Sequence, residues 1–216
     1  MKINNINLIY ELKEHIPLTF LGSISGIIII IYLNYASLLE IINSYSINVF
    51  YILHPTHIFL SAVVTTSLYL KHYEKNLIFA ILIGYFGSIG IATVSDSIIP
   101  FIGEIILDLP NKGLHFGLIE KPFITNISAF IGILLGFKTG FSKFPHFGHV
   151  LISTWASLFH IIMAIGSKIE SIQIILIVFF LFFAVWIPCC TSDIVFPLLF
   201  CKNNCSDKIK YDKNLN

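Results

Sequence analysis

Long apolar runs, separated by short polar punctuation, dominate this chain. Crossing the hydrocarbon of a bilayer takes about 20 apolar residues as a helix. Runs near that length cover residues 18–34, 55–70, 76–97, 122–137, 148–165 and 171–187. The first and fourth open on Pro17 and Pro122, and the second stops at the polar turn Lys71 to Lys75. The third stays apolar to Leu107 apart from Asp96, Pro100 and Glu104, which is too long for one straight crossing. It predicts a helix to about Ser97, then a proline-broken segment that turns back or lies in the interface. Residues 35–53 carry Glu40, Asn43 and Asn48 among apolar positions, with Tyr45 and Tyr51 suited to an interface. They read as an interfacial helix or a re-entrant hairpin. The expected fold is therefore all-α and polytopic, with about six transmembrane helices.

The runs fall into two sets of three. His54-Pro-Thr-His57-Ile-Phe-Leu-Ser61 returns as His146-Phe-Gly-His149-Val-Leu-Ile-Ser153, without a gap. Ser95-Asp96-Ser-Ile-Ile-Pro100 follows the first copy, and Ser192-Asp193-Ile-Val-Phe-Pro197 follows the second. Three spans per copy make the second copy cross in the opposite sense, an inverted repeat of the kind that builds many secondary transporters. On this reading residues 1–107 form the first repeat, 108–121 a connecting loop, 122–201 the second repeat and 202–216 a polar tail. Each half also holds a pair of glycines spaced for close helix contact, Gly22 with Gly26 and Gly132 with Gly136.

Charge placement supports six crossings. With the N-terminus inside, Lys2, Lys13, Lys71, Lys75, Lys138, Lys143, Lys202, Lys208, Lys210 and Lys213 are inside, and Lys112, Lys121 and Lys168 are outside. That is the positive-inside bias, and it puts both termini in the cytoplasm. The polar N-terminus leads into an apolar run lacking a small-residue cleavage pattern, which fits an uncleaved first span better than a signal peptide.

Composition agrees: 56% of residues are hydrophobic and only 12% charged, against roughly a quarter charged in soluble domains. Lipid is the expected solvent, and a homodimer is expected for so small a bundle. A net charge of +1 and the absence of arginine argue against nucleic acid as a partner. The sequence offers no glycine-rich phosphate loop, so no nucleotide is expected. Cys189, Cys190, Cys201 and Cys205 crowd one end and read as free thiols rather than a disulfide framework.

The repeated residues carry the chemistry. On a helix His54, His57, Ser61 and Thr65 form one stripe, and His146, His149, Ser153, Ser157 and His160 form its counterpart. Two imidazoles one turn apart, with an aspartate from the next span, suit zinc, iron(II) or manganese(II). The candidate metal ligands are His54, His57, Asp96, His146, His149 and Asp193, with Ser61, Ser153 and His160 in support. Under six-span topology the first set lies near the outer face and the second near the inner face, as two separate sites. The plainer alternative is that the histidines sit neutral near helix ends and each aspartate caps the segment after it. Cys189, Cys190 and Asp193 form a further soft-metal possibility, and His115, Glu120 and Glu104 read as surface groups of the central loop.

Ionisable groups inside a span usually mark an ion or proton path. The favoured expectation is a small secondary transporter or channel for a cation, most plausibly a divalent transition metal, rather than an enzyme. The alternatives are an intramembrane metal-dependent hydrolase and a non-catalytic membrane subunit. Duplication favours transport, because a hydrolase needs one complete site; His160, which has no counterpart in the first copy, favours the hydrolase.

Overall fold

The computed structural model describes residues 8–72, 76–139 and 143–190. They form helices α1 (Leu8–Tyr35), α2 (Leu39–His72), α3 (Leu77–Thr93), α4 (Ile99–Ile106), α5 (Gly117–Glu120), α6 (Pro122–Thr139), α7 (Lys143–Ala164) and α8 (Ser171–Cys190). A π-helical turn, Val94–Ile98, joins α3 to α4 without a break. There is no strand among the described residues. Five helical stretches are long and apolar enough to cross a membrane: Ile16–Tyr35, Leu39–Leu70, Leu77–Ile106, Phe147–Ala164 and Ser171–Cys189. Pro122–Lys138 in α6 is apolar but shorter.

Two boundaries differ from the sequence reading. Residues 39–53 do not form a hairpin or a separate helix; they are the first half of α2, which continues through Pro55. The polar residues that obscured this have plain roles. Glu40 and Asn48 are exposed, while Asn43 Nδ2 donates to the carbonyls of Ile162 at 2.8 Å and Ile165 at 2.5 Å. Asn43 thereby caps the carboxyl end of α7, where the Ile165 N–H also reaches the Ile162 carbonyl at 3.2 Å. The second difference is at Pro100, where the expected turn back does not occur and the π turn carries the helix onward to Ile106.

Helix ends follow local chemistry. Asn76 caps α3, its side chain accepting from the backbone N–H groups of Ile78 and Phe79. After α1, Ser37 takes a left-handed φ of 57° and Leu38 N–H donates to the Leu33 carbonyl at 2.9 Å. Asp108 does the same after α4, at φ 50°, with Leu109 N–H on the Glu104 carbonyl at 3.0 Å. Both are Schellman closures with a side chain where glycine is usual.

The bundle buries many hydroxyls among its aliphatic side chains and is apolar without. Thr19, Ser61, Thr65, Ser88, Ser95, Ser153, Thr154 and Ser157 are buried, whereas Phe20, Ile28, Phe86, Phe123, Leu134 and Phe179 are exposed. Such an arrangement suits lipid as the surrounding solvent, because hydroxyls satisfied inside leave apolar side chains to face acyl chains. Leu158, Ile161 and Ile162 of α7, with Ile165 just after it, pack with Ile30 of α1 and Ile177 and Leu181 of α8 in the largest apolar cluster. On the other side α6 lies directly on α2. A Cβ added at Gly132 would stand 2.8 Å from Ala62 Cβ, and one at Gly136 2.9 Å from Thr66 Cβ. α2 thus runs between α6 and α7, with its histidines at mid-helix.

Candidate functional site

Asp96 is fully buried in the π turn, and the sequence around it explains why the helix widens there. Pro100 stands four residues after Asp96, where its ring would collide with the Asp96 carbonyl of an ordinary α-turn. The ladder shifts instead: Ile99 N–H donates to Val94 O, five residues back. The Ser95 carbonyl would take Ile99 N–H in an α-turn or position 100 in a π-turn, and position 100, being proline, has no N–H. From α7, Ser157 Oγ lies 3.0 Å from the Ser95 carbonyl and 2.9 Å from the Ser153 carbonyl, its one hydroxyl proton shared between the two. The Ser-Asp-x-x-x-Pro spacing therefore encodes a turn that opens toward a neighbouring helix, a geometry frequent at functional sites.

Both carboxylate oxygens of Asp96 are fully used. Oδ2 lies 2.9 Å from His54 Nδ1 and 2.8 Å from His57 Nδ1. Oδ1 accepts Ser95 Oγ at 2.6 Å and Ser153 Oγ at 2.9 Å. A carboxylate offers about four acceptor positions, and here four donors meet it. Each imidazole thus turns Nδ1 to the carboxylate and Nε2 away from it. This is the second-shell pattern that orients metal-binding histidines.

The second motif reaches the same place. The rings of His57 and His149 stack at 5.8 Å and 6°, and Ser153 completes the Asp96 shell. Donor atoms of His57, His149 and Cys189 all lie within 4.8 Å of one another, and all three residues are buried. Two imidazole nitrogens and a thiol are ligands of soft and borderline metals, and the next two donors, Asp96 and His54, stand behind them. Instead of two separate sites, the described members of both copies converge where α2, α7, α8 and the π turn meet. The reason is the length of α2: its added first half sets His54 and His57 in mid-helix rather than at its mouth.

The remaining candidates divide. Ser61 is buried on the same stripe of α2. His146 falls in the first residues of α7, where its side chain is outside the described set, and Asp193 lies outside the described residues. The alternative in which the aspartate caps the following segment does not hold for Asp96, whose carboxylate is taken by four side chains. His160 is not at the Asp96 cluster: its Nδ1 lies 2.7 Å from Glu104 Oε1, and both residues are buried. Glu104 is thus no surface group, and sequence reading missed the pair because its members are far apart in the chain. His115 and Glu120 do sit at the surface loop, with His115 Nδ1 3.4 Å from a Glu120 oxygen and Tyr51 donating to the same carboxylate.

Phe50 was not singled out in the sequence, yet it is central. Fully buried, it stacks on His54 at 5.2 Å and 11° and meets His160 edge-on at 5.4 Å. Gly117, the first residue of α5, packs against His54 so closely that a Cβ there would stand 2.6 Å from Nε2. Compared with known proteins, the chain matches no family model, no curated sequence and no solved structure.

Proposed function

We propose that this multi-pass helical membrane protein is a small carrier or channel for a divalent transition-metal cation. His57, His149 and Cys189 are the ligands; Asp96 and His54 hold the frame, and both termini face the cytoplasm. The observation that carries this reading is the convergence of three buried donors from α2, α7 and α8 beside a carboxylate that holds His57 by its Nδ1. A tetrahedral zinc ion needs donors about 3.3–3.8 Å apart, so the three need to close by about an ångström around it. A thiolate among the donors favours zinc over manganese, which prefers oxygen ligands.

The buried ionisable groups also extend across the bundle. From His149 to His160 is eleven residues of α7, about 16 Å at the helical rise. Ionisable groups held inside apolar helices are functional by default, which favours a transport role over a packing role for the cluster. Three protein ligands with a fourth place open also resemble a hydrolytic zinc site. Against a hydrolase, Asp96 has no lone pair left to serve as general base, since four donors occupy it.

Elemental mass spectrometry of the detergent-purified protein, beside a His57→Ala, His149→Ala double variant, tests the site. Zinc that copurifies with the native chain and leaves the variant supports it, and zinc uptake by proteoliposomes then separates carrier from enzyme. No zinc bound by the native chain after metal resupply, with thermal stability unchanged, would end this reading.

A further inference from the structure

The Glu104–His160 pair stands apart from the cluster and is built with equal care. Glu104 Oε1 is 2.7 Å from His160 Nδ1, and its Oε2 accepts the Gly113 N–H at 3.1 Å. With Nδ1 committed to the carboxylate, His160 Nε2 is buried and has no hydrogen-bond partner among the described residues. His115 lies on one side of this imidazole, ring to ring at 5.5 Å, and is itself partly exposed beside Glu120. Phe50 lies on another side, and on the ring of Phe50 rests His54, whose Nε2 also has no partner among the described residues.

A series of titratable groups therefore runs inward from the surface: Glu120, His115, then His160 with Glu104. There it meets an apolar ring, and beyond that ring lies the Asp96 cluster. The groups facing His160 are Glu104 from α4, His115 from the loop before α5, and, across Phe50, His54 of α2.

We propose that the Glu104–His160 pair is a proton-binding site, and that the metal carried by the Asp96 cluster moves in exchange for protons taken up there. This rests on the transport reading above. Proton uptake forms an N–H bond at His160 Nε2, and the resulting imidazolium is neutralised by Glu104. Release breaks the same bond and returns the proton through His115 toward Glu120 and water. Phe50 keeps proton and metal apart, because its ring carries neither a proton acceptor nor a metal-ligand atom. Neutral as a protonated pair and singly negative without its proton, the site responds to a divalent charge arriving across Phe50 by losing the proton.

The test uses the full chain in phosphatidylcholine–phosphatidylglycerol vesicles, with a zinc gradient and separate internal dyes for zinc and pH. Zinc entry by the native protein should drive proton flow the other way. His160→Gln and Glu104→Gln should retain downhill zinc entry while the coupled proton signal falls by about a hundredfold, the scale of losing a positioned proton carrier. His57→Ala should lose both signals. A full proton signal in a folded His160→Gln protein overturns the inference and leaves the metal reading standing. Zinc entry that is indifferent to His57→Ala overturns the metal reading instead. Should neither buried variant fold, His115→Gln at the partly exposed step decides: slowed proton flow with intact zinc entry supports the relay, and unchanged proton flow overturns it.

Discussion

His57 and His149 hold the same position in two copies of one motif, and their rings lie parallel at 5.8 Å. With Ser153 of the second copy on Asp96 of the first, neither copy holds its site alone.

That dependence makes Asp96 the most sensitive position. Asp96→Asn replaces an acceptor with a donor among four donors, leaving buried imidazole and hydroxyl groups unsatisfied. Removing one partner of a buried charged network costs about 3–5 kcal/mol. The thermal midpoint in detergent should drop sharply, and Ser153→Ala, removing a single bond, should cost about 1 kcal/mol. An Asp96→Asn protein that melts with the native one would contradict the hub role.

Pro100 acts through the backbone. Pro100→Ala restores an N–H that can compete for the Ser95 carbonyl and tighten the π turn toward α. Helix content by circular dichroism should stay constant while zinc affinity falls by about tenfold, the lower end of second-shell effects. Unaltered affinity would mean the widened turn does not position Asp96.

The two sides of one comparison sit in α3 and α6. Gly132 touches α2 at backbone level, so Gly132→Val should cost about 1–3 kcal/mol through overpacking. Gly90 has nothing within 4 Å of an added Cβ, so Gly90→Ala should be neutral or stabilise by up to about 1 kcal/mol. Paired thermal melts read both at once, and equal effects would refute the packing assignment.

Glu120 gives the surface loop an acid limit. Burial raises its pKa, but hydrogen bonds from Tyr51 and His115 and the Phe116 N–H outweigh burial and hold it below the usual glutamate range. A depressed folded value means that this contribution is present above the unfolded pKa, about 4.3. It is lost as pH falls through the lower folded value. Hydrogen-exchange protection of residues 116–121, with the intrinsic rate divided out, should fall only in that acidic window, and Glu120→Gln should abolish that fall.

Much of this was legible in the sequence, and the gaps have physical causes. Apolar runs gave the helices because lipid-facing residues need no periodic pattern to be recognised. The repeated His-x-x-His and Ser-Asp-x-x-x-Pro strings pointed to His57, His149, Asp96 and Ser153. Their depth was hidden because Glu40, Asn43 and Asn48 break the apolar run, although the first and last are exposed and Asn43 caps α7. Pro100 read as a break because a proline usually ends a helix; here the π turn absorbs it. Phe50 and Glu104 carried no motif. Their importance lies in what α7 brings beside them.

The length of α2 has a consequence for the surrounding lipid. Thirty-four residues span about 51 Å, well beyond a hydrocarbon core of about 30 Å. α6, which packs on α2 through Gly132 and Gly136, has 18 residues. A short and a long helix locked together cannot both match one bilayer thickness, so thinner membranes ask α2 to lean further. Leaning α2 moves His57 against His149 on α7. Acyl-chain length is therefore expected to shift the His57–His149 spacing, and zinc affinity measured in vesicles of graded thickness should peak at one thickness and fall away on either side.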